Sequence, residues 1–245
     1  MAKIKVIGSS SAGNGYVIEA NGSYIFIECG VKARDMMRAA AYRSDKVAGC
    51  LISHKHGDHC ACAKEIARAG IRIFSNKETI EALHLPALAK TTSLDKTNQW
   101  FQIGDFSVMP FECQHDVKNY GYIIKHPSFG SLFFGTDTFA YPILYKGIDH
   151  YLIEANYSDE LLTSSNIDKW QRDRLLVSHM SLDYCLQYLK DCGAPERAKT
   201  ITLIHLSSRH SDEVEFRKCV QRETGVPTYI ADAGTEIDIT YFPNL

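Results

Sequence analysis

Residues 51 to 59 read Leu51-Ile-Ser-His54-Lys-His56-Gly57-Asp58-His59. They close an apolar run of strand length, Val47 to Ser53, with three imidazoles and a carboxylate inside six residues. In extended backbone alternate side chains share a side, so His54 and His56 can bind one ion together. Gly57 permits a sharp turn, after which Asp58 and His59 face elsewhere, towards a second ion. Neutral imidazole and carboxylate suit zinc first, with manganese or iron as alternatives. The other reading, a solvated polar loop with a lone structural metal, offers no folding reason for so many ligands behind one apolar strand.

Outward from this segment the chain alternates. Lys3 to Gly8 reads as a strand, and Tyr16 to Ala20 with Tyr24 to Glu28 as a hairpin around Asn21-Gly22. Helices are expected over Lys32 to Tyr42, Ala61 to Ala69 (stopped by Gly70) and Lys77 to Leu83, with a strand over Ile71 to Phe74 between the last two. The middle is strand-dominated: Gln99 to Ile103, Phe106 to Glu112, Gly121 to Lys125, Leu132 to Phe134 and Tyr151 to Glu154. Then come a helix over Leu182 to Asp191, a strand over Thr200 to His205, a helix over Asp212 to Arg222, and strands near Thr228 to Ile230 and Glu236 to Tyr241. No repeat, charge block or low-complexity linker divides the sequence. Two β-rich halves with helices outside, sharing one core, predict an α+β fold, a four-layer αββα sandwich forming a single domain over residues 1–245.

Composition narrows function less. The 245 residues are 45% apolar and 23% charged, ordinary for a soluble protein, and carry a net charge of −2. A nucleic-acid substrate would have to be held by a local patch. Apolar stretches are too short to span a bilayer, so no membrane partner is expected. Met1-Ala-Lys-Ile-Lys leads straight into a strand pattern without a signal peptide, and the reading is cytoplasmic. The eight cysteines are scattered, which reads as buried reduced thiols. Cys60 and Cys62 follow the histidines, but Cys-x-Cys is not a zinc-knuckle spacing. The sequence gives no oligomeric state.

The His-x-His-x-Asp-His pattern resembles the signature of the metallo-β-lactamase superfamily. Phe111-Glu-Cys-Gln-His115, Phe134-Gly-Thr-Asp137 and Leu203-Ile-His205 follow in that family's order, each at the end of an apolar strand. The resemblance implies two divalent ions: His54, His56 and His115 at the first, Asp58, His59 and His205 at the second, and Asp137 between. Ions roughly 3.5–4 Å apart would share a hydroxide and lower the pKa of its parent water from about 16 towards 7. Where the family usually has Asp-x-Gly, this chain has Glu28-Cys29-Gly30, so Glu28 takes the supporting place.

Two more segments are similar to ribonuclease Z-like enzymes. Tyr151-Leu-Ile-Glu154 and Val177-Ser-His179-Met-Ser181 match a glutamate and a His-x-Ser histidine that form a proton relay. Asp58, Glu154 and His179 are thereby the expected catalytic residues. The wider match is to YycJ/WalJ-like proteins, through the loop Gly8-Ser-Ser-Ser-Ala-Gly13-Asn14, the Val31-Lys-Ala-Arg34-Asp segment and the His205-Leu-Ser loop. That branch implies a metal-dependent phosphodiesterase, a nuclease of DNA exonuclease type, with nucleic acid as partner. Only 68 residues separate Asp137 from His205, too few for a large inserted nuclease domain. The alternative is a lactone or thioester hydrolase on the same two metals.

Bland readings stand beside these. Glu154 can be a strand-end carboxylate, and His179 can merely precede a helix capped by Ser181. Lys55, Arg172, Arg174 and Arg209 flank ligand segments and are candidates for phosphate contact. His84, His126, His150 and His210 show no ligand spacing. Phe133, Phe134, Tyr151 and Tyr184 read as core.

Overall fold

The computed structural model describes residues 1–241, and among them fourteen strands form two seven-stranded sheets. The last four residues of the expected 1–245 unit lie outside the described residues. In spatial order the first sheet runs Glu236–Asp238, Ala2–Gly8, Gly15–Ala20, Ser23–Ile27, Val47–Leu51, Ile73–Ser75, Thr91–Ser93. The second runs Phe101–Ile103, Phe106–Cys113, Asn119–His126, Gly130–Gly135, His150–Glu154, Thr200–Ile204, Thr228–Ile230. Read this way, each sheet has three antiparallel pairings followed by three parallel ones. The two halves therefore repeat one topology, although the sequence shows no repeat.

Burial explains the layers. Leu132 and Phe134 pack between the sheets, with Ile4, Val6, Ile18, Val108 and Ile204. Phe133, one residue over, packs on the opposite face against Leu186, Leu189 and Val220 of the outer helices. The first sheet does the same, with Phe26 and Ile52 under Met36 and Ile66. Strands covered on both faces lose the alternating pattern and read as continuous apolar runs. The αββα sandwich is thus the observed architecture. The hairpin at Asn21-Gly22 also forms: both residues have positive φ, 50° and 82°, as a two-residue turn requires.

Several expectations change. The helix expected over Ala61 to Ala69 is observed as Ala63–Arg68, and a separate helical turn that was not expected, Gly57–Cys60, precedes it. Asp58 and His59 therefore sit on a helical turn, and Gly57 opens it without a left-handed conformation. The strand expected to Tyr241 ends at Asp238. Helices Asp159–Ser164 and Lys169–Ser178 lie where the sequence offered no periodicity. Tyr184 is 40% exposed, a correction to its reading as core. Leu182, Cys185, Leu186 and Leu189 take the buried stripe of its helix at helical spacing, and Tyr184 falls opposite. Cys62, Cys113 and Cys219 are only partly buried, and all eight cysteines are free. No described helix is long and apolar enough to cross a membrane.

Candidate metal centre

Loops following the carboxyl ends of parallel strands from both sheets converge on one place, the usual position for a site in such sheets. Val47–Leu51 leads to His54, Gly130–Gly135 to Asp137, His150–Glu154 ends in Glu154, and Thr200–Ile204 leads to His205. Asp137 and His205 have left-handed backbone, φ 50° and 53°, as does Glu28 at 61°. Such conformations cost about 1–3 kcal/mol each outside glycine and need support from around them. Asn119 donates to the Asp137 carbonyl at 2.7 Å, and Thr136 Oγ1 to its carboxylate at 2.7 Å. The His205 amide donates to Ser9 Oγ at 2.9 Å, and Asn156 to the His205 carbonyl at 2.8 Å.

The seven expected ligands fall into two adjoining groups, His54, His56 and His115 in one, Asp58, His59, Asp137 and His205 in the other. Within the first, His56 Nδ1 lies 3.0 Å from His54 Nε2 and 3.3 Å from His115 Nε2. Within the second, His59 Nε2 is 3.1 Å from Asp58 Oδ2, and His205 Nδ1 is 2.9 Å from Asp137 Oδ1. Asp137 faces both groups. Its Oδ2 is 4.0 Å from His54 Nε2 and 3.9 Å from His115 Nε2, while Oδ1 is turned to His59 and His205.

This donor set fits divalent cations. Four of the imidazoles are almost wholly buried, and ring nitrogens face one another with too few protons or acceptors between them. Burial, then neighbouring imidazoles, holds His54 well below the ordinary histidine range. Burial likewise pushes His115 down to about 4, against the pull of Asp137. Neutral, converging imidazoles beside a carboxylate are the form a divalent ion binds. One or two such ions are what the clusters suit.

Glu154 and His179 also meet. His179 Nδ1 lies 2.7 Å from Glu154 Oε1, and the other carboxylate oxygen accepts from the Thr138 amide at 3.0 Å. Burial opposes charge on His179, but the Glu154 carboxylate outweighs it and raises the imidazole to about 9. With Nδ1 held, Nε2 is the nitrogen left for chemistry. Ser181 does cap the following helix, accepting from the Tyr184 amide at 3.1 Å. His179 is also the C-cap of Lys169–Ser178, so both its chain neighbours are fixed.

Glu28 is fully buried; it accepts from the Ser53 amide at 3.1 Å and lies 3.5 Å from His59 Nδ1. Gly30 packs on the second ligand group so closely that an added Cβ would sit 1.7 Å from the Asp58 carbonyl oxygen. Of the basic candidates, Arg174 and Arg209 line the cleft. Lys55 pairs with Glu78 at 2.6 Å, and Arg172 reaches Thr163 at 3.4 Å. His126 and His150 are buried away from the centre, whereas His210 lines the cleft wall. Cys60 turns to the Lys55 and His56 carbonyls.

Two further residues were not read as functional from the sequence. Asp116 Oδ1 lies 3.1 Å from His115 Nε2 and 3.5 Å from His56 Nε2. Asn14, in the serine-glycine loop, bonds both the Asp58 carbonyl and carboxylate at 3.3 Å and lies 3.2 Å from His59 Nε2. The only signal for either was its neighbourhood: one follows a ligand directly, the other ends a quoted motif.

Residues 23–206 match the family model described as the beta-lactamase superfamily domain. The exodeoxyribonuclease WalJ of Streptococcus pneumoniae is 27% identical over 228 residues, covering 85% of this chain and 83% of that one. The exodeoxyribonuclease YycJ of Bacillus anthracis is 24% identical over 215 residues, 82% of this chain and 81% of that one. Among solved structures, the metallo-beta-lactamase fold protein YhfI from Bacillus subtilis superposes with a TM-score of 0.76 at 19% identity, covering 97% of this chain and all of the other.

Proposed function

The chain belongs to the β-lactamase superfamily, and from that premise we propose that it is a two-metal phosphodiesterase that cleaves nucleic acid. The observation that carries this reading is the Glu154–His179 pair, 2.7 Å apart and beside both ligand groups. A phosphodiester expels an alkoxide, which needs a proton; a thioester, whose thiolate leaves without one, has less use for a second acid. The names of the related exodeoxyribonucleases support the same substrate class.

In this reading His54, His56 and His115 would hold one ion and Asp58, His59 and His205 the other, with Asp137 within reach of both groups. Zinc is the expected metal from its nitrogen and oxygen donors, with manganese or iron as alternatives. Bound ions would supply Lewis-acid polarisation of the phosphate oxygens and a more acidic water. The protein supplies the rest. Asp137 turns one carboxylate oxygen to each group. Glu154 fixes the ring of His179 and favours its protonated form. Water adds to phosphorus as hydroxide, having given its proton to solvent; as the P–O bond breaks, the departing oxygen takes the proton from His179 Nε2, and Glu154 steadies the imidazole until solvent reprotonates it. Arg174 and Arg209 stand at the cleft wall to meet flanking phosphates. A single domain over 1–245 and a reducing, cytoplasmic setting complete the reading, the latter supported by eight unpaired cysteines.

The test is a cleavage panel with metal-reconstituted protein: 5′-phosphorylated single- and double-stranded DNA, RNA, a nitrophenyl phosphodiester, a lactone and a glutathione thioester. Phosphodiesters are expected to dominate, with nucleic-acid binding that weakens steeply with salt. Lactone or thioester turnover without any nuclease activity would overturn the reading.

A further inference from the structure

The helix Lys169–Ser178 is an odd wall for a cleft, because Ser178 is its only buried residue. It begins at Asp168, whose side chain accepts from the Gln171 amide at 2.8 Å. Near its start stands Trp170, 68% exposed, with no core face on its own helix to join. One turn on, the guanidinium of Arg174 lies over the indole, 5.8 Å from its centroid. Arg174 reaches towards Asp116 Oδ2 at 3.9 Å, and Asp116 touches His115. The helix then hands the Ser178 carbonyl to His115 Nδ1 at 3.1 Å and ends in His179. Trp170, Arg174, Ser178 and His179 line one open cleft of about 630 Å³ whose floor is the ligand cluster.

A lone exposed aromatic is ordinary on protein surfaces. This one differs by its place, on the cleft wall and beside a cation tied to the metal ligands. An indole face with a guanidinium against it is suited to a flat, electron-rich heterocycle on a polyanionic backbone. We propose that Trp170, with Arg174 over one face, is a stacking platform for a nucleobase of the substrate strand. This rests on the nuclease reading above and deepens it. At 1.5 Å per residue, Trp170 stands about 12 Å along the helix from Ser178. The stacked base therefore belongs to a nucleotide near the scissile phosphate, not to the one being cleaved.

The experiment uses metal-loaded full-length protein and 5′-phosphorylated oligothymidylate, with an abasic site walked along the strand from the cleaved end. Base–aromatic stacking corresponds to about a five- to 150-fold effect per base. Trp170→Ala is expected to raise KM for the intact strand by a factor in that range, with a much smaller change in kcat, and Trp170→Phe to restore most of it. In the wild type one abasic position should raise KM by a similar factor, and at that position Trp170→Ala should add nothing further. Equal KM values for wild type and Trp170→Ala on cleaved strands would overturn the platform while leaving the nuclease reading intact. A wild type that leaves every oligonucleotide uncut would overturn both.

Discussion

Gly30→Ala puts one methyl group against the turn that carries the proposed second ion's ligands. An ideal Cβ there lies 1.7 Å from the Asp58 carbonyl oxygen and 2.9 Å from the His59 amide nitrogen, where real Cβ atoms stay beyond 3.0 Å. The two backbones must open by at least 1.3 Å, the gap between 1.7 and 3.0 Å. They cannot do so freely. The Cys29 amide donates to the His59 carbonyl at 2.8 Å, Gly30 to Asn14 at 2.9 Å, and Asn14 to Asp58 at 2.7 Å. Asp58 and His59 would move with the turn, whereas metal–ligand distances tolerate about ±0.2 Å. The ion of Asp58, His59 and His205 should be lost or greatly weakened, and the three-histidine site kept. Misplacement by about 1 Å near the chemistry costs on the order of 10²-fold in rate. Overpacking of this kind costs about 1–3 kcal/mol, a fall in Tm of several degrees for a chain this long. Elemental analysis, cleavage kinetics and thermal unfolding read the three quantities together. A variant with two ions and wild-type rate would refute the reasoning, as would one that keeps the second ion and loses the first.

His179→Ala should lower kcat by about 10²–10⁴-fold with metal content unchanged, and the defect should shrink on a nitrophenyl phosphodiester, whose leaving group needs no proton. Loss of an ion instead would make His179 a ligand. Asn14→Ala removes the side-chain bonds to Asp58 and should weaken the second ion about 10–100-fold while leaving the first unchanged, as competition with a chelator can measure. Stability should fall in acid through His150, which burial pushes down to about 4 from 6.5. The unfolded chain then binds the extra proton between those values, so the contribution is complete above pH 6.5 and lost progressively as pH falls towards 4. It amounts to about 3 kcal/mol. Denaturant titrations of His150→Gln should show a flatter dependence across that window, and an unchanged slope would remove His150 from the account.

Most of the proposed ligands were legible because they stand behind strands buried on both faces, where a run of apolar residues makes the next polar one conspicuous; His115 follows the half-covered strand Phe106–Cys113. His54, Asp137 and His205 all have that setting. What stayed hidden lacks it. Lys169–Ser178 buries a single residue, so no 3.6-residue periodicity marks it, and Trp170 could not be placed on a cleft wall. Asp116 and Asn14 act through the fold's closure, across 60 or 44 residues of chain, which spacing does not encode. Gly57 was legible as a residue but not as a geometry: a glycine among the proposed ligands suggested a sharp turn, and the chain made a helical one. Tyr184 was misplaced by one helical face. The repeated sheet topology leaves no repeated sequence, because packing needs only apolar residues of suitable size at matching positions.

The strand Glu236–Asp238 pairs with Ala2–Gly8, so the outer edge of the first sheet is closed by residues 228 positions downstream of its own end. During synthesis the neighbouring strands of that sheet emerge early, yet the Ala2–Gly8 edge waits. At about 5–20 residues per second the wait is roughly ten to forty-five seconds. For that time the nascent chain presents an unpaired edge, the kind of surface that recruits other strands. Lys3 and Lys5 alternate along it, charges that discourage a neighbouring nascent chain from pairing there before the proper strand arrives.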